Sequence, residues 1–218
     1  MRKLLKNNGL SLFFLSAFVV SMLGQIWFGF EEYNKELIED GGQKVTLVSY
    51  LTSGHFLQST FENWESEFLQ MALFVLVTIV LQQKGSSESK DFDKQEEVDR
   101  EPSPNRKNAP WPVKRGGWML SIYNHSLTIA LTLLFIAAFG LHFYGSLKDE
   151  NVRLALKGES LENVSDYISD SRFWFESFQN WQSEFLSVFA IIVLSIFLRQ
   201  KGSPQSKPVD APNFETGE

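Results

Sequence analysis

Residues 10–30, with the sequence LSLFFLSAFVVSMLGQIWFGF, carry no formal charge and decide the class of the protein. An α-helix rises ~1.5 Å per residue, so this stretch would form a helix of ~32 Å, which matches the ~30 Å hydrocarbon core of a bilayer. The basic stretch MRKLLKNN before it resembles the start of a signal peptide. The length of the apolar stretch, and the lack of a small-residue cleavage pattern after it, favour a membrane helix that is retained.

Three further apolar blocks lie at 61–81, 119–144 and 178–198. The block 119–144 contains no Asp, Glu, Lys or Arg, whereas the other two begin with carboxylates and end in the runs MALFVLVTIVL and VFAIIVLSIFL. Charged residues are concentrated between the blocks, as is typical of membrane proteins. The sequence therefore predicts an all-α polytopic membrane protein with four transmembrane helices.

The placement of Lys and Arg predicts the orientation of these helices. The N-terminal tail, the 82–118 linker and the C-terminal tail hold 3, 8 and 3 of these residues, against 2 in 31–60 and 4 in 146–177. Cationic residues near the ends of spans resist translocation. We therefore expect both termini in the cytoplasm and the chain in the plasma (inner) membrane.

The composition excludes several functional classes. Cysteine is absent, so no disulfide, thiolate metal site or cysteine nucleophile can form. The net charge of -6 does not favour nucleic acid as a partner. The chain also has no HExxH motif, phosphate-binding loop or nucleophile elbow. We expect no cofactor, no metal and no enzymatic activity.

The chain contains an internal repeat with an offset of 117 residues. FENWESEFL at 61–69 aligns with FQNWQSEFL at 178–186, and QKGS at 83–86 aligns with QKGS at 200–203. Each copy holds two spans, so both copies enter the membrane from the same side, and an axis along the membrane normal would relate them. We predict two parallel two-helix repeats.

The repeat sets the predicted domain boundaries. Residues 1–84 form the first transmembrane hairpin and residues 117–201 the second. The polar segments 85–116 and 202–218, rich in charge, Pro, Gly and Ser, are predicted to be a flexible cytoplasmic linker and a disordered cytoplasmic tail. In the external segments 45–57 and 161–175, apolar residues recur at helical intervals, which predicts short interfacial helices.

The chain resembles a family of bacterial inner-membrane proteins grouped as a domain of unknown function. The resemblance runs through YLTSGHF at 50–56, FENWESEFLQ at 61–70, KGSSESK at 84–90 and WPVKRGG at 111–117, and it covers nearly the whole chain. It implies a four-helix membrane architecture and a bacterial setting, and it implies no activity.

Two glutamates are the main candidates for a functional site. Glu67 and Glu184 each lie 14 residues before the end of an apolar block, ~21 Å along a helix, which places them inside the membrane. A carboxylate at that depth is costly unless it meets water, a cation or hydrogen-bond donors. Helical spacing puts polar residues on the same faces, and they are Asn63 and Gln70 beside Glu67, and Asn180 and Ser187 beside Glu184.

Two interpretations of these stripes remain open. They could form a proton or cation site, or they could hold helices together by hydrogen bonds or reach towards the outer headgroups. Three tryptophans, Trp27, Trp64 and Trp181, are predicted to be interface anchors. Small residues on the first and third spans, among them Gly24 and Gly140, predict close helix packing at those positions.

The sequence alone favours a non-enzymatic membrane scaffold or interaction protein. The alternative is a small proton- or cation-linked transporter or channel that uses the paired glutamates. The lipid bilayer is the expected partner, a homo-oligomer is compatible with the sequence, and no particular protein partner is indicated.

Overall fold

The structure, a computed structural model, describes residues 2–217, with side chains from Leu5 onward. The helices run Arg2–Glu39 (α1), Leu47–Leu51 (α2), Gly54–Val77 (α3), Trp111–Arg115 (α4), Gly117–Asn124 (α5), Ser126–Lys157 (α6), Val164–Tyr167 (α7) and Ser171–Phe197 (α8). Residues 2–217 contain no β-strand, so the predicted all-α class is confirmed. The short helices α2 and α7 lie inside the two segments for which the sequence predicts them.

Three of the described helices are long and apolar enough to cross a membrane. They are Leu5–Glu39 of α1, Ser126–Lys157 and Ser171–Phe197. The second apolar block differs from its prediction, because α3 has three glutamates near its middle and ends at Val77, before its apolar run is complete. The third block is divided between α5 and α6 at His125, whose φ and ψ of -115° and 9° are not helical.

The chain divides into two compact units. The first contains the residues up to Glu62 together with Phe139–Trp174, and the second contains Asn63–Ala138 together with the residues from Phe175 onward. The core of the first unit is formed by Tyr33, Leu37 and Tyr50. By contrast, α1 is exposed at nearly every position from residue 5 to residue 21.

In the first unit, α1 and α6 end in the same way. A glycine follows the end of each helix in the left-handed region, Gly41 with φ 81° and Gly158 with φ 72°. The next residue, Gly42 or Glu159, donates its backbone N–H to a carbonyl five residues back, at 2.7 Å and 2.9 Å. Glycine adopts this backbone without a Cβ penalty, and the bonds satisfy carbonyls at the helix end.

Two asparagines close the loops that follow these helix ends. The side-chain oxygen of Asn34 accepts a hydrogen bond from the Val45 N–H at 2.7 Å, and that of Asn151 accepts one from the Glu162 N–H at 2.8 Å. In both loops the bond joins residues eleven positions apart. Each loop is therefore tied back to the helix that it leaves.

Tyr50 and Tyr167 are fully buried, but their hydroxyl groups differ. The Tyr167 hydroxyl hydrogen-bonds to that of Ser146 at 2.5 Å. The Tyr50 hydroxyl lies against Gly29 and has no hydrogen-bond partner among the described residues. Burial raises the pKa of Tyr50 to about 12, because the ionised phenolate would lose its hydration.

Removing the two hydroxyl groups should therefore have unequal effects. Tyr167→Phe removes a buried hydrogen bond and should lower the free energy of unfolding by about 1 kcal/mol. Tyr50→Phe removes a buried polar group without a partner and should be neutral or slightly stabilising. Thermal unfolding of both variants in detergent, followed by circular dichroism, measures the difference. An equal loss of stability in the two variants would contradict it.

Close packing in the first unit occurs at Gly54 and Gly145. A Cβ built on Gly54 would lie 2.3 Å from the backbone nitrogen of Asp149, and one built on Gly145 would lie 2.5 Å from that of Gln58. The start of α3 and the middle of α6 are thus in backbone contact. The close packing predicted at Gly24 and Gly140 is wrong within one chain, because a Cβ on either would meet nothing within 4 Å.

In the second unit, the segments after α3 and α8 form matching turns. Gly85 and Gly202 have φ of 87° and 85°. The Ser89 hydroxyl accepts a hydrogen bond from the Gln83 N–H at 2.9 Å, and the Ser206 hydroxyl accepts one from the Gln200 N–H at 2.9 Å. The two segments predicted to be a flexible linker and a disordered tail thus begin with defined turns.

Lys207 holds the tail segment against the turn that follows α3. Its ammonium group is 2% exposed and donates to four backbone carbonyls, those of Gly85, Pro212, Asn213 and Glu215, at 2.5, 3.3, 2.8 and 2.8 Å. Burial lowers the pKa of Lys207, because the charged form loses hydration. The carbonyl oxygens replace that hydration.

Candidate functional site

Glu67 of α3 and Glu184 of α8 meet in the second unit. Their carboxyl groups lie close enough to interact directly. Glu67 is exposed at the surface of the protein, and Glu184 is half-buried. A hydrogen bond between two carboxyl groups requires a proton on one of them, since two carboxylates at that separation repel each other. The pair can therefore hold a proton, or it can hold a cation when both groups are ionised.

The other residues of the predicted stripes do not surround this pair. Asn180 donates from its amide to the Glu176 backbone carbonyl at 3.1 Å. Ser187 donates from its hydroxyl to the Glu184 backbone carbonyl at 2.8 Å. Asn63 is exposed, and Gln70 is half-buried. The structure thus brings the two glutamates together but directs Asn180 and Ser187 to the backbone of their own helix.

A cavity of about 510 Å³ lies between α3 and α8, and we call it the α3/α8 cavity. Its walls are mainly apolar, and one end is polar. The lining residues are Gln70, Leu73, Phe74, Val77, Thr78 and Leu81 along α3 and just after it, Phe185, Val188, Phe189 and Ile192 on α8, and Gln82, Gln83, Ser86, Glu88 and Ser89 at the polar end.

Glu65 is a buried carboxylate that the sequence analysis did not select. It is fully buried, and the indole N–H of Trp181 donates to its carboxylate at 3.1 Å. The signal in the sequence was the repeat itself, because Gln182 occupies the equivalent position in the second copy. Trp181 therefore has a polar partner within the protein. Trp64 is half-buried and Trp27 is exposed, and their role as interface anchors stays a prediction.

The first unit contains a second group of charges, centred on Asp149. The Asp149 carboxylate is 1% exposed and accepts a hydrogen bond from Arg153 at 3.1 Å. Arg172 lies 3.5 Å from the same oxygen and also pairs with Glu150. Arg153 reaches Glu36 of α1 at 3.4 Å. These ion pairs connect α1, α6 and the start of α8, and the spacing of four residues between Asp149 and Arg153 was the available signal.

His142 is fully buried in the first unit, beside Glu62. The imidazole Nε2 lies 4.0 Å from the Glu62 carboxylate, and the His142 ring packs on Phe173 with centroids 5.0 Å apart. His55 packs on Tyr33, with ring centroids also 5.0 Å apart. Both histidines therefore take part in aromatic packing, and His142 also has an acidic neighbour.

Comparison with known proteins gives one match. A family model described as a domain of unknown function (DUF6766) matches residues 1–218. No curated protein and no solved structure matches the chain. The match confirms the resemblance to a family of unknown function, and the bacterial setting stays a prediction.

Proposed function

The chain belongs to the DUF6766 family, whose description assigns no activity, and we propose from its own residues that it is a four-span membrane protein that exchanges a proton for a cation at the Glu67–Glu184 pair. The direct approach of these two carboxyl groups, from α3 and α8, is the observation that carries the proposal. Neither this proposal nor the second candidate below includes enzymatic activity.

The proposed fourth span is α3, completed by the residues just after it. It is supported by its partnership with α8, which is itself long and apolar enough to cross a membrane. In the second unit, Glu67 of α3 meets Glu184 of α8, and Ser86 in the turn after α3 hydrogen-bonds to Ser195 of α8 at 3.1 Å. A helix that packs alongside α8 in this way would lie at the same depth in the bilayer.

We propose that the four spans are two parallel copies of one unit. The supporting contacts recur at an offset of 117 residues, in the loops closed by Asn34 and Asn151, in the helix ends at Gly41 and Gly158, and in the turns after α3 and α8. The Lys and Arg distribution supports termini in the cytoplasm of a bacterial cell. The exposed surface of α1 suits contact with the lipid bilayer or with a second copy of the chain.

The chemistry of the pair suits exchange. When one carboxyl group is protonated, the hydrogen bond holds the two side chains together without net repulsion. A cation that approaches favours ionisation of both groups, so the shared proton leaves and the cation takes its place. The glutamate pair can hold either the proton or the cation, but not both at once. Proton movement and cation movement are therefore coupled. Carboxyl groups inside a membrane are costly and are commonly used in this way.

Proteoliposomes test this function. Vesicles loaded with sodium and potassium salts and a pH-sensitive dye receive an acid pulse outside, and the protein should acidify the lumen faster than empty vesicles do. Glu67→Gln and Glu184→Gln should each slow this at least tenfold, because an amide cannot exchange a proton. The control is Glu97→Gln, which removes an exposed carboxylate that pairs with nearby Arg100. Wild-type rates in both pair variants, or no flux above empty vesicles, would refute the proposal.

The second candidate function is a membrane scaffold or interaction protein. The ion pairs around Asp149 favour it, because they fix α1, α6 and the start of α8 in one arrangement within the first unit. In that case the glutamate pair serves packing, and Glu67→Gln should alter assembly without altering flux. Size-exclusion chromatography beside the flux assay separates the two functions, since a normally assembled variant that has lost flux supports exchange.

A further inference from the structure

We propose that the α3/α8 cavity binds a lipophilic organic cation, and this inference rests on the proposed exchange function because it names a further class of cation, beside sodium and potassium, that the glutamate pair can exchange. The ligand would place its charge near Glu67 and Glu184 and its apolar body in the cavity.

The cavity begins one helical turn from the glutamate pair. Gln70 lies three residues after Glu67 on α3, and Val188 lies four residues after Glu184 on α8. Residues three or four apart are neighbours on one helix face. The cavity therefore continues along the two faces that bring the carboxyl groups together, and one ligand can contact both.

The walls suit a large, apolar and aromatic body. Phe74, Phe185 and Phe189 line the cavity with aliphatic side chains between them. Aromatic faces attract cations as well as apolar groups. The volume of about 510 Å³ falls within the range of roughly 300–1,000 Å³ that is usual for sites of drug-sized ligands. A hydrated alkali ion would leave most of this apolar surface unused.

The charges around the cavity have one sign. Glu88 is the charged residue in the described lining, and no lysine or arginine belongs to that lining. The glutamate pair lies beyond one end, and Glu88 lies at the polar end. An anionic lipid or a fatty acid would meet carboxylates at both ends, whereas a cation meets complementary charge. We therefore commit to a cation as the occupant.

Equilibrium dialysis of the full chain in detergent against radiolabelled tetraphenylphosphonium tests the inference. The wild type should bind it saturably, and neutral triphenylphosphine oxide should compete at least tenfold less well. Val188→Trp fills the cavity and should weaken binding at least tenfold. The control Leu186→Trp adds the same ring to α8 at an exposed position outside the lining and should bind as the wild type does.

A second variant keeps the inference testable if Val188→Trp does not fold. Phe189 lines the cavity but is 62% exposed, so Phe189→Ala should fold normally and still weaken binding several-fold. The double variant Glu67→Gln, Glu184→Gln should lose binding at least tenfold. Equal binding by Val188→Trp, Phe189→Ala and the wild type would overturn the inference, and so would equal competition by the neutral compound or by a fatty acid.

The possible outcomes distinguish this inference from the exchange function on which it rests. If tetraphenylphosphonium binding fails these tests while proton flux still requires Glu67 and Glu184, the inference falls and the exchange function stands. If proton flux is indifferent to both glutamates, both proposals fall.

Discussion

Gly145→Ala should destabilise the first unit by about 3 kcal/mol, since overpacking of this kind typically costs 1–3 kcal/mol and costs more where backbone cannot yield. The new methyl carbon would lie 2.5 Å from the Gln58 backbone nitrogen and 2.9 Å from the Leu57 backbone carbonyl carbon. Neither neighbour is the end of a flexible side chain. The start of α3 and the middle of α6 would have to separate, which would loosen the contacts that flank this crossing.

The matched control is Gly140→Ala, on the same helix. Nothing lies within 4 Å of a methyl group at that position. Alanine is favoured over glycine in a helix by roughly 0.5–1 kcal/mol, so this variant should be neutral or slightly more stable than the wild type. Thermal unfolding in the same detergent compares the two. Equal melting temperatures for Gly145→Ala and Gly140→Ala would show that the crossing does not exist.

Asp149→Asn should be the second most damaging change, with a loss of about 2 kcal/mol. Removing one partner of a fully buried ion pair typically costs about 3–5 kcal/mol, but here Arg153 and Arg172 are 36% and 29% exposed and keep other acidic neighbours. The variant leaves Arg153 and Arg172 facing a neutral amide at 1% exposure. The loss should change little with salt, since buried pairs are weakly screened.

The control for this change is Glu32→Gln. Glu32 pairs with Lys35 at 3.4 Å, but both side chains are more than half exposed. Exposed pairs contribute roughly 0–1 kcal/mol. Chemical or thermal unfolding of both variants should therefore show a large loss for Asp149→Asn and almost none for Glu32→Gln. Similar losses would mean that the ion pairs around Asp149 are not buried in the protein.

The helices that could be predicted from sequence were those with a long uncharged run. Residues 10–30 placed α1 correctly, and the apolar blocks 119–144 and 178–198 located α6 and α8. The second block was harder, because three glutamates among its first seven residues weaken the apolar signal. The break at His125 had no signal of its own, since nothing in the sequence around it is a helix breaker such as proline.

Contacts between helices were less predictable than the helices. Small residues at helical spacing show that a helix face can be approached closely, but they do not show which partner approaches it. Gly24 and Gly140 satisfied that pattern, and the backbone contact occurs instead at Gly54 and Gly145. The charges around Asp149 lay in segments predicted to be external, where solvated side chains are the usual expectation.

The glutamate pair was the part of the site most accessible to reasoning from sequence. The repeat placed Glu67 and Glu184 at equivalent positions, and the cost of a carboxylate in a membrane made a meeting between them reasonable. The partners of a hydrogen-bonding side chain were not predictable in the same way, because its own helix backbone competes for it. Asn180 and Ser187 both bond there.

Inserted epitopes can show which side of a membrane each segment faces. The loops closed by Asn34 and Asn151 limit where such an epitope can be inserted. An epitope placed inside 35–44 or 152–161 would lengthen a closed loop of twelve residues and break the hydrogen bond that closes it. Residues 101–108 are exposed throughout, so an epitope there would displace no buried side chain. A reporter of sidedness therefore belongs in 101–108, and the closed loops are better probed by single-residue chemical labelling.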